Sequence, residues 1–319
     1  MGSRREFLKK TTLTGAGITL GGPALVNAAG KQTKSVKIPI FAFSKHFQFM
    51  EDFGELSDFM LEAGLNGLDL TVRPGGHVEP EQVEEILPGA VAAMKKRGLY
   101  TPMIVTKIGD PEDPLTDRIL KAANKEDIRY YRMAYYNYAE DLGIEKNLER
   151  FKKDFKALSG INKKYNIHGA YQNHTGTRLG APIWDLFQSL EGLNPEWIGC
   201  QYDIRHAMAE GGNSWPLTWQ LIKPFVKCVD VKDFRWEKVK GKWKDIHVPL
   251  GEGMVDFEKF FGYLREFEFA GPISLHIEYP MYDLNDTSLT YEQKRKAAMK
   301  NLKHDMVFLK EKLSESGLI

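Results

Sequence analysis

Cysteine is scarce in this chain: Cys200 and Cys228 are the two in 319 residues. One bridge is the most they allow, so a disulfide-framed scaffold is excluded. Both sit in apolar, strand-like runs, where buried free thiols are common. Charge of either sign is not in excess either. Lys and Arg number 44 against 43 Asp and Glu, a formal net charge of +1, which leaves no basic footprint for a phosphate backbone. Gly-rich phosphate loops are missing after the strand-like segments. The uncharged run from Thr11 to Val26 is too short and too rich in Gly and Thr to form a stable membrane span. What remains is 42% hydrophobic and 27% charged. That is the balance of a globular protein and excludes a disordered or fibrous chain. The length suits a single large α/β domain.

The first residues read as an address rather than as part of a fold. Ser3-Arg4-Arg5-Glu6-Phe7-Leu8-Lys9-Lys10 precedes the uncharged run, and Val26-Asn27-Ala28 offers a small-x-small cleavage site. The paired arginines followed by Phe-Leu-Lys resemble a twin-arginine export signal, so residues 1–28 are expected to direct the protein to the periplasm. Removing them takes away four basic residues and one acidic residue, leaving a net charge of −2 from +1. A short linker, 29–35, and one domain, 36–319, are expected to follow.

Beyond the linker, strand-like and helix-like segments alternate. Strands are expected at 36–43, 67–72, 100–106, 129–135, 169–174, 198–203, 225–231 and 271–278. Helices are expected at 51–63, 80–97, 148–165, 219–223, 257–267 and 291–313, two of them stopped by Gly64 and Gly98. Eight strands in such alternation point to a single-domain (β/α)8 TIM barrel rather than to a doubly wound sheet. The polar run 234–247, with alternating aromatics around Gly241, reads as a hairpin-like insertion after the seventh strand.

In a barrel of this kind the residues at the carboxyl ends of the strands face the site. Strand five ends Tyr171-Gln172-Asn173-His174, and strand six Tyr202-Asp203-Ile204-Arg205-His206. Strand seven ends Asp230-Val231-Lys232-Asp233, and strand eight His276-Ile277-Glu278. Alternation puts Gln172 with His174, Asp230 with Lys232, and His276 with Glu278. Four consecutive strand ends thus deliver oxygen and nitrogen groups to one mouth.

These motifs, together with Gly67-Leu68-Asp69-Leu70, Val231-Lys232-Asp233-Phe234 and the run from Pro249 to Phe257, resemble the xylose isomerase-like TIM-barrel superfamily. That group includes sugar phosphate isomerases and epimerases and inosose dehydratases. The resemblance covers most of the mature chain. It implies one divalent metal held from strands five to eight by Gln172, Asp203, Asp230 and Glu278. Two of these depart from the family pattern, since Gln172 stands where Glu is usual and Asp230 where His is usual. An all-oxygen set favours Mn or Mg over Zn. His174 in place of Gln172 is the alternative ligand of strand five.

The chemistry the resemblance implies is proton removal next to a carbonyl, with the metal stabilising the enediolate. Glu278 is the expected base, and His206 or His174 the second acid/base, because the amide of Gln172 cannot take a proton. His206, Lys232, His276 and Trp236 are expected to touch substrate. Trp243 is expected to join Trp236 in a sugar-binding wall. Isomerisation or epimerisation of a sugar or keto-sugar comes first; dehydration, hydration or another lyase reaction of a keto-sugar or keto-inositol is the alternative. A non-catalytic carbohydrate-binding barrel that has lost its metal is the second alternative. An endonuclease acting at abasic sites shares the fold but wants more His ligands and more basic surface. The expected partner is a small carbohydrate, with no nucleic acid and no stable membrane anchor. Oligomerisation is left open.

Overall fold

The computed structural model describes residues 37–283 and 286–319. The export signal and linker expected at 1–35 lie outside the described residues. Eight parallel strands close a barrel: β1 (Ile40–Phe43), β2 (Gly67–Thr71), β3 (Tyr100–Val105), β4 (Tyr130–Arg132), β5 (His168–Gln172), β6 (Ile198–Asp203), β7 (Val226–Val231) and β10 (Ile273–Leu275). Each pairs with its sequence neighbour, and β10 closes the ring between β7 and β1. The remaining two strands, β8 (Asp233–Val239) and β9 (Lys242–Val248), form the antiparallel hairpin expected after strand seven.

Between the strands run α1 (Phe53–Glu62), α2 (Val83–Lys95), α3 (Pro114–Lys125), α4 (Ile144–Lys164), α5 (Trp184–Leu190), α6 (Ile204–Gly211), α7 (Trp215–Ile222), α8 (Phe257–Glu266) and α9 (Tyr291–Glu315). Three of these, α3, α5 and α6, have no counterpart in the sequence reading. α5 and α6 are seven and eight residues long, too short for a periodic signal to stand out. α3 is 12 residues with only a narrow apolar stripe, including Ile119, Leu120 and Ala123. The strand ends also contract. β10 spans three residues where eight were expected, though the His276 N–H still bonds the Val231 carbonyl at 3.0 Å as the chain enters the mouth.

Helices start where short polar side chains take up free N–H groups. Asp52, Asp113 and Asp256 cap α1, α3 and α8, and Thr290 with Gln293 forms a capping box on α9. Close approach of β2 to β3 requires Gly67. It lies at φ 147°, and a Cβ there would stand 1.8 Å from the Tyr100 carbonyl oxygen.

Most of the core lies between barrel and helices, with Phe59, Leu87, Phe155, Trp219 and Phe260 all fully buried. Inside the barrel, a small layer of Met103, Ala170 and Cys228, with Tyr130 against it, forms an apolar floor. Both cysteines are free and buried. Above that floor the alternation of each strand brings polar residues inward: Gln172 two after Ala170, and Asp230 two after Cys228. Among the described residues, no helix is long and apolar enough to cross a membrane.

Candidate active site

Strand register alone brings the first two carboxylates together. Asp203 at the end of β6 is the parallel partner of Asp230 on β7, and Ser274 on β10 partners Asp230 from the other side. Both aspartates are completely buried. Two like charges so placed repel unless donors stand between them. The amide nitrogen of Gln172 is that donor, 2.9 Å from Asp203 Oδ2 and 2.6 Å from Asp230 Oδ2. Its orientation is fixed from behind, because Arg132 Nη1 (3.1 Å) and the Tyr135 hydroxyl both donate to Gln172 Oε1.

Each aspartate has further partners. Asp203 Oδ1 accepts the His206 N–H at 3.1 Å and so caps α6, which leaves Oδ2 for the site. The Asn173 side chain pins the same strand end, accepting from Asp203 N (2.8 Å) and donating to Asp203 O (2.9 Å). Lys232, also buried, places Nζ 3.0 Å from Asp203 Oδ2 and 4.0 Å from Glu278 Oε1. Asp230 Oδ1 accepts from Gln201 Nε2 at 2.6 Å and lies 3.2 Å from His276 Nε2. The other ring nitrogen of His276 is 3.9 Å from Glu278 Oε1. Burial pushes the Asp230 carboxyl up, but His276 and the Gln201 amide outweigh it and hold it below its ordinary range. Asp203 goes the other way, because burial exceeds what Lys232 gives back.

Glu278 is the outer member. Its side chain is 20% exposed against none for either aspartate. It lines a cavity of about 300 Å³ with Lys45, His46, Phe49, Tyr279 and Tyr282. Lys45 Nζ lies 3.2 Å from its Oε2. Burial would raise this carboxyl, yet Lys232, His46, His276 and Lys45 together hold it far below the carboxylate range, so it is ionised at any physiological pH.

The two histidines expected near strands five and six stack on each other, ring centres 3.9 Å apart. Their partners fix different tautomers. His206 Nδ1 faces the Arg205 guanidinium (2.9 Å) and the Thr175 N–H (3.2 Å), which can only donate, so the neutral ring carries its proton on Nε2. That Nε2 is buried without a hydrogen-bond partner, 3.6 Å from Asp203 Oδ2. Burial, with Lys232, His174 and Arg205 nearby, keeps the ring neutral. His174 Nδ1 lies 2.9 Å from the Thr175 carbonyl oxygen and must donate, so its Nε2 is an acceptor. Burial lowers its pKa to about 4. His174 thus belongs to the histidine stack, and nothing in its contacts joins it to the carboxylates.

The run from Pro249 to Phe257 is architectural. Asp233 gathers the N–H groups of Gly251, Gly253 and Val255 at 3.0 to 3.1 Å. A Cβ on Gly253 would collide with that carboxylate at 2.1 Å. Glu252 itself is exposed, 3.9 Å from His304. Trp236 and Trp243 are 44% and 67% exposed. Register pairs Trp236 with Asp245 and Trp243 with Lys238, so both rings share the hairpin face of Asp245. Asp245 in turn is 2.5 Å from the buried Arg205, next to His206, which latches that face toward the mouth.

Several participants escaped the sequence reading: Arg132, Tyr135, Gln201, Lys45 and His46. The first two lie in the expected fourth strand, outside the four strand ends that the alternation assigns to the mouth. Gln201 shares a face with Asp203 two residues on, which was a usable signal. Lys45 and His46 follow β1 with nothing in the sequence to mark them. Asp69 is also inside the barrel, accepting from Ser274 Oγ at 2.7 Å, with its pKa raised to about 6 by burial.

A group of Asp69, Asp230 and His276 offers ligand atoms all within 4.8 Å of one another. Asp69 Oδ1 and both ring nitrogens of His276 are buried without a hydrogen-bond partner, whereas the set that the resemblance implies, Gln172, Asp203, Asp230 and Glu278, does not fit a divalent ion as arranged. Asp203 Oδ2 and Asp230 Oδ2 already accept from Gln172, and the Gln172 oxygen is turned away toward Arg132 and Tyr135. Lys232 Nζ, 3.0 Å from Asp203 Oδ2, already occupies the same oxygen.

A family model described as xylose isomerase-like TIM barrel matches residues 58–311. The chain belongs to that family. No curated protein matches it. Solved structures agree on the fold. A 3-keto-D-glucoside 4-epimerase from E. coli is 14% identical at a TM-score of 0.61, over 82% of this chain and 98% of that one. A probable 3-DHS dehydratase from Bacillus anthracis, involved in petrobactin synthesis, is 16% identical at 0.61, over 86% and 99%. A xylose isomerase-like barrel from Mycobacterium smegmatis, solved in complex with magnesium, is 12% identical at 0.65, over 88% and 98%.

Proposed function

We propose that this barrel is an enzyme of the isomerase or epimerase type, acting on a sugar or keto-sugar by removing a proton next to its carbonyl. The observation that carries the reading is the position of Glu278. Of Asp203, Asp230 and Glu278 it is the one that opens onto the cavity, and its neighbours keep it ionised. Substrate bound in that cavity would present a C–H bond to Glu278. The neutral His206 would donate Nε2–H to a substrate oxygen, as its unpartnered, buried Nε2 allows. His174, with an acceptor nitrogen, supplies the second acid/base. Gln172 cannot serve as a base, so a symmetric pair of carboxylates on opposite sides of the carbon is not part of this scheme.

The divalent ion expected from the resemblance, Mn or Mg ahead of Zn, would have to be held by Asp203, Asp230 and Glu278 with His276. Because those donors do not fit it as arranged, no step is assigned to it. Lys232 and His276 stand within 4.0 Å of Glu278 and are assigned to substrate contact. Trp236 and Trp243 extend the site outward along the hairpin, where aromatic rings suit sugar faces. The runner-up is a lyase or hydratase, in which loss of a hydroxyl follows the same proton abstraction. Export through the twin-arginine route to the periplasm completes the reading.

The test is a panel of keto-sugars and keto-glycosides incubated with the protein in heavy water and followed by proton NMR. Exchange confined to one carbon supports the reading and names the reacting position. Saturable binding without exchange in any of them would leave a carbohydrate-binding barrel instead.

A further inference from the structure

We propose that Lys232 is a catalytic residue of this reaction, its ammonium binding the substrate's carbonyl oxygen and carrying the charge of the enediolate so that no divalent metal is required. The inference rests on the reaction proposed above. It is drawn from three observations. The ammonium is buried and sits between the two carboxylates of β6 and β10's extension, 3.0 Å from Asp203 Oδ2 and 4.0 Å from Glu278 Oε1. Its ion pair with Asp203 uses one of three N–H donors, and Glu278 is beyond hydrogen-bond range, so donors remain for a substrate oxygen. Cations of the chain itself also stand beside Asp203, Asp230 and Glu278. Asp203 faces Lys232, Glu278 faces Lys45 at 3.2 Å, and the Arg132 guanidinium backs the Gln172 amide that bridges Asp203 and Asp230.

The step balances with groups already present. Glu278 takes the proton, so the C–H bond breaks and an O–H bond forms on its carboxylate. The C–H electron pair becomes the new C=C bond. The carbonyl π pair moves to oxygen, which becomes an alkoxide beside the Lys232 ammonium and the His206 N–H. Return of a proton to the same carbon from the opposite face, with the carbonyl re-formed, gives the epimer; a proton delivered to the former carbonyl carbon, with the neighbouring hydroxyl giving up its own as the new carbonyl forms, gives the isomer. Expulsion of a β-hydroxyl, which takes the proton held by Glu278 and leaves as water while the carbonyl re-forms, gives the dehydrated product and returns the carboxylate. A preorganised cation in a dry site is worth about 10²–10³-fold in rate.

The full-length protein is dialysed against EDTA, and two quantities are measured: Mn²⁺ binding by calorimetry with elemental analysis, and exchange of substrate protons in heavy water. The expected results are no stoichiometric Mn²⁺ and undiminished exchange in EDTA. Lys232→Met, checked for fold by circular dichroism, should lose exchange by about 10²–10³-fold. One equivalent of tightly bound Mn²⁺, with exchange lost in EDTA and restored by the ion, overturns the proposal and leaves the reaction reading standing. Undiminished exchange in folded Lys232→Met does the same. Exchange from no keto-sugar, with or without Mn²⁺, overturns the reaction reading and this proposal with it.

Discussion

Asp203 and Asp230 are direct partners across β6 and β7, both wholly buried, and one amide group holds them together. The Gln172 nitrogen donates to an oxygen of each, while Arg132 and Tyr135 anchor the amide oxygen. The amide thus does two things a carboxylate could not. It supplies donors to both aspartates, and it adds no charge.

Gln172→Glu follows directly. A third carboxylate facing Asp203 and Asp230 replaces two hydrogen bonds by repulsion in a buried site. In the absence of divalent ions the variant should lose about 3 kcal/mol of stability. Mn²⁺ or Mg²⁺ should recover part of the loss, since the new oxygen restores an anionic ligand. Thermal denaturation in EDTA and in Mn²⁺ reads both effects. A melting temperature in EDTA equal to that of the parent would contradict the role given to the amide.

The hairpin gives a second expectation. Trp236→Ala and Trp243→Ala remove exposed rings, so stability should change by roughly 0.5 kcal/mol or less. Affinity for a glycoside should fall about tenfold for each. Asp245→Asn should instead raise deuterium uptake of residues 233–248, because the buried Arg205 loses the carboxylate 2.5 Å away that latches the hairpin. Equal uptake in the two proteins would show that the latch is not energetically significant.

Acid should weaken the fold through histidines far from the site as well as near it. His168 at the start of β5 is buried, its Nδ1 donating to the Glu196 carbonyl at 3.0 Å, and burial lowers its pKa from 6.5 to about 4. The unfolded chain takes up a proton near pH 6.5 while the native ring refuses it until about pH 4. Stability from this residue is therefore complete above pH 6.5 and falls as the pH drops from 6.5 toward 4, by on the order of 3 kcal/mol in full. His168→Gln, which keeps a donor but does not titrate, should show a shallower loss of melting temperature over that window. Identical slopes would remove His168 from the account.

The barrel was legible because its strands are buried on both faces and read as apolar runs between helix stops, as at 198–203, which matches β6 residue for residue. The mouth was legible through alternation: Asp203, Asp230, Lys232, His276 and Glu278 do meet. Hydrogen-bond direction was not legible. Nothing in the sequence shows that the Gln172 nitrogen, not its oxygen, faces the aspartates, or that Lys232 occupies the space beside Asp203. The direction of the amide depends on Arg132 and Tyr135, some 40 residues earlier in the chain. The role of Asp233 was hidden for the same reason, since its partners Gly251 and Gly253 lie across the hairpin.

The most direct measurement compares the parent with Glu278→Gln in heavy water, using a keto-sugar that the parent exchanges at one carbon. The amide keeps the size of the side chain but cannot accept a proton, so exchange should fall by about 10²–10⁴-fold while calorimetry still detects substrate binding. Exchange at the parent's rate in Glu278→Gln would contradict the assignment of this carboxylate as the base, and with it the account of the site.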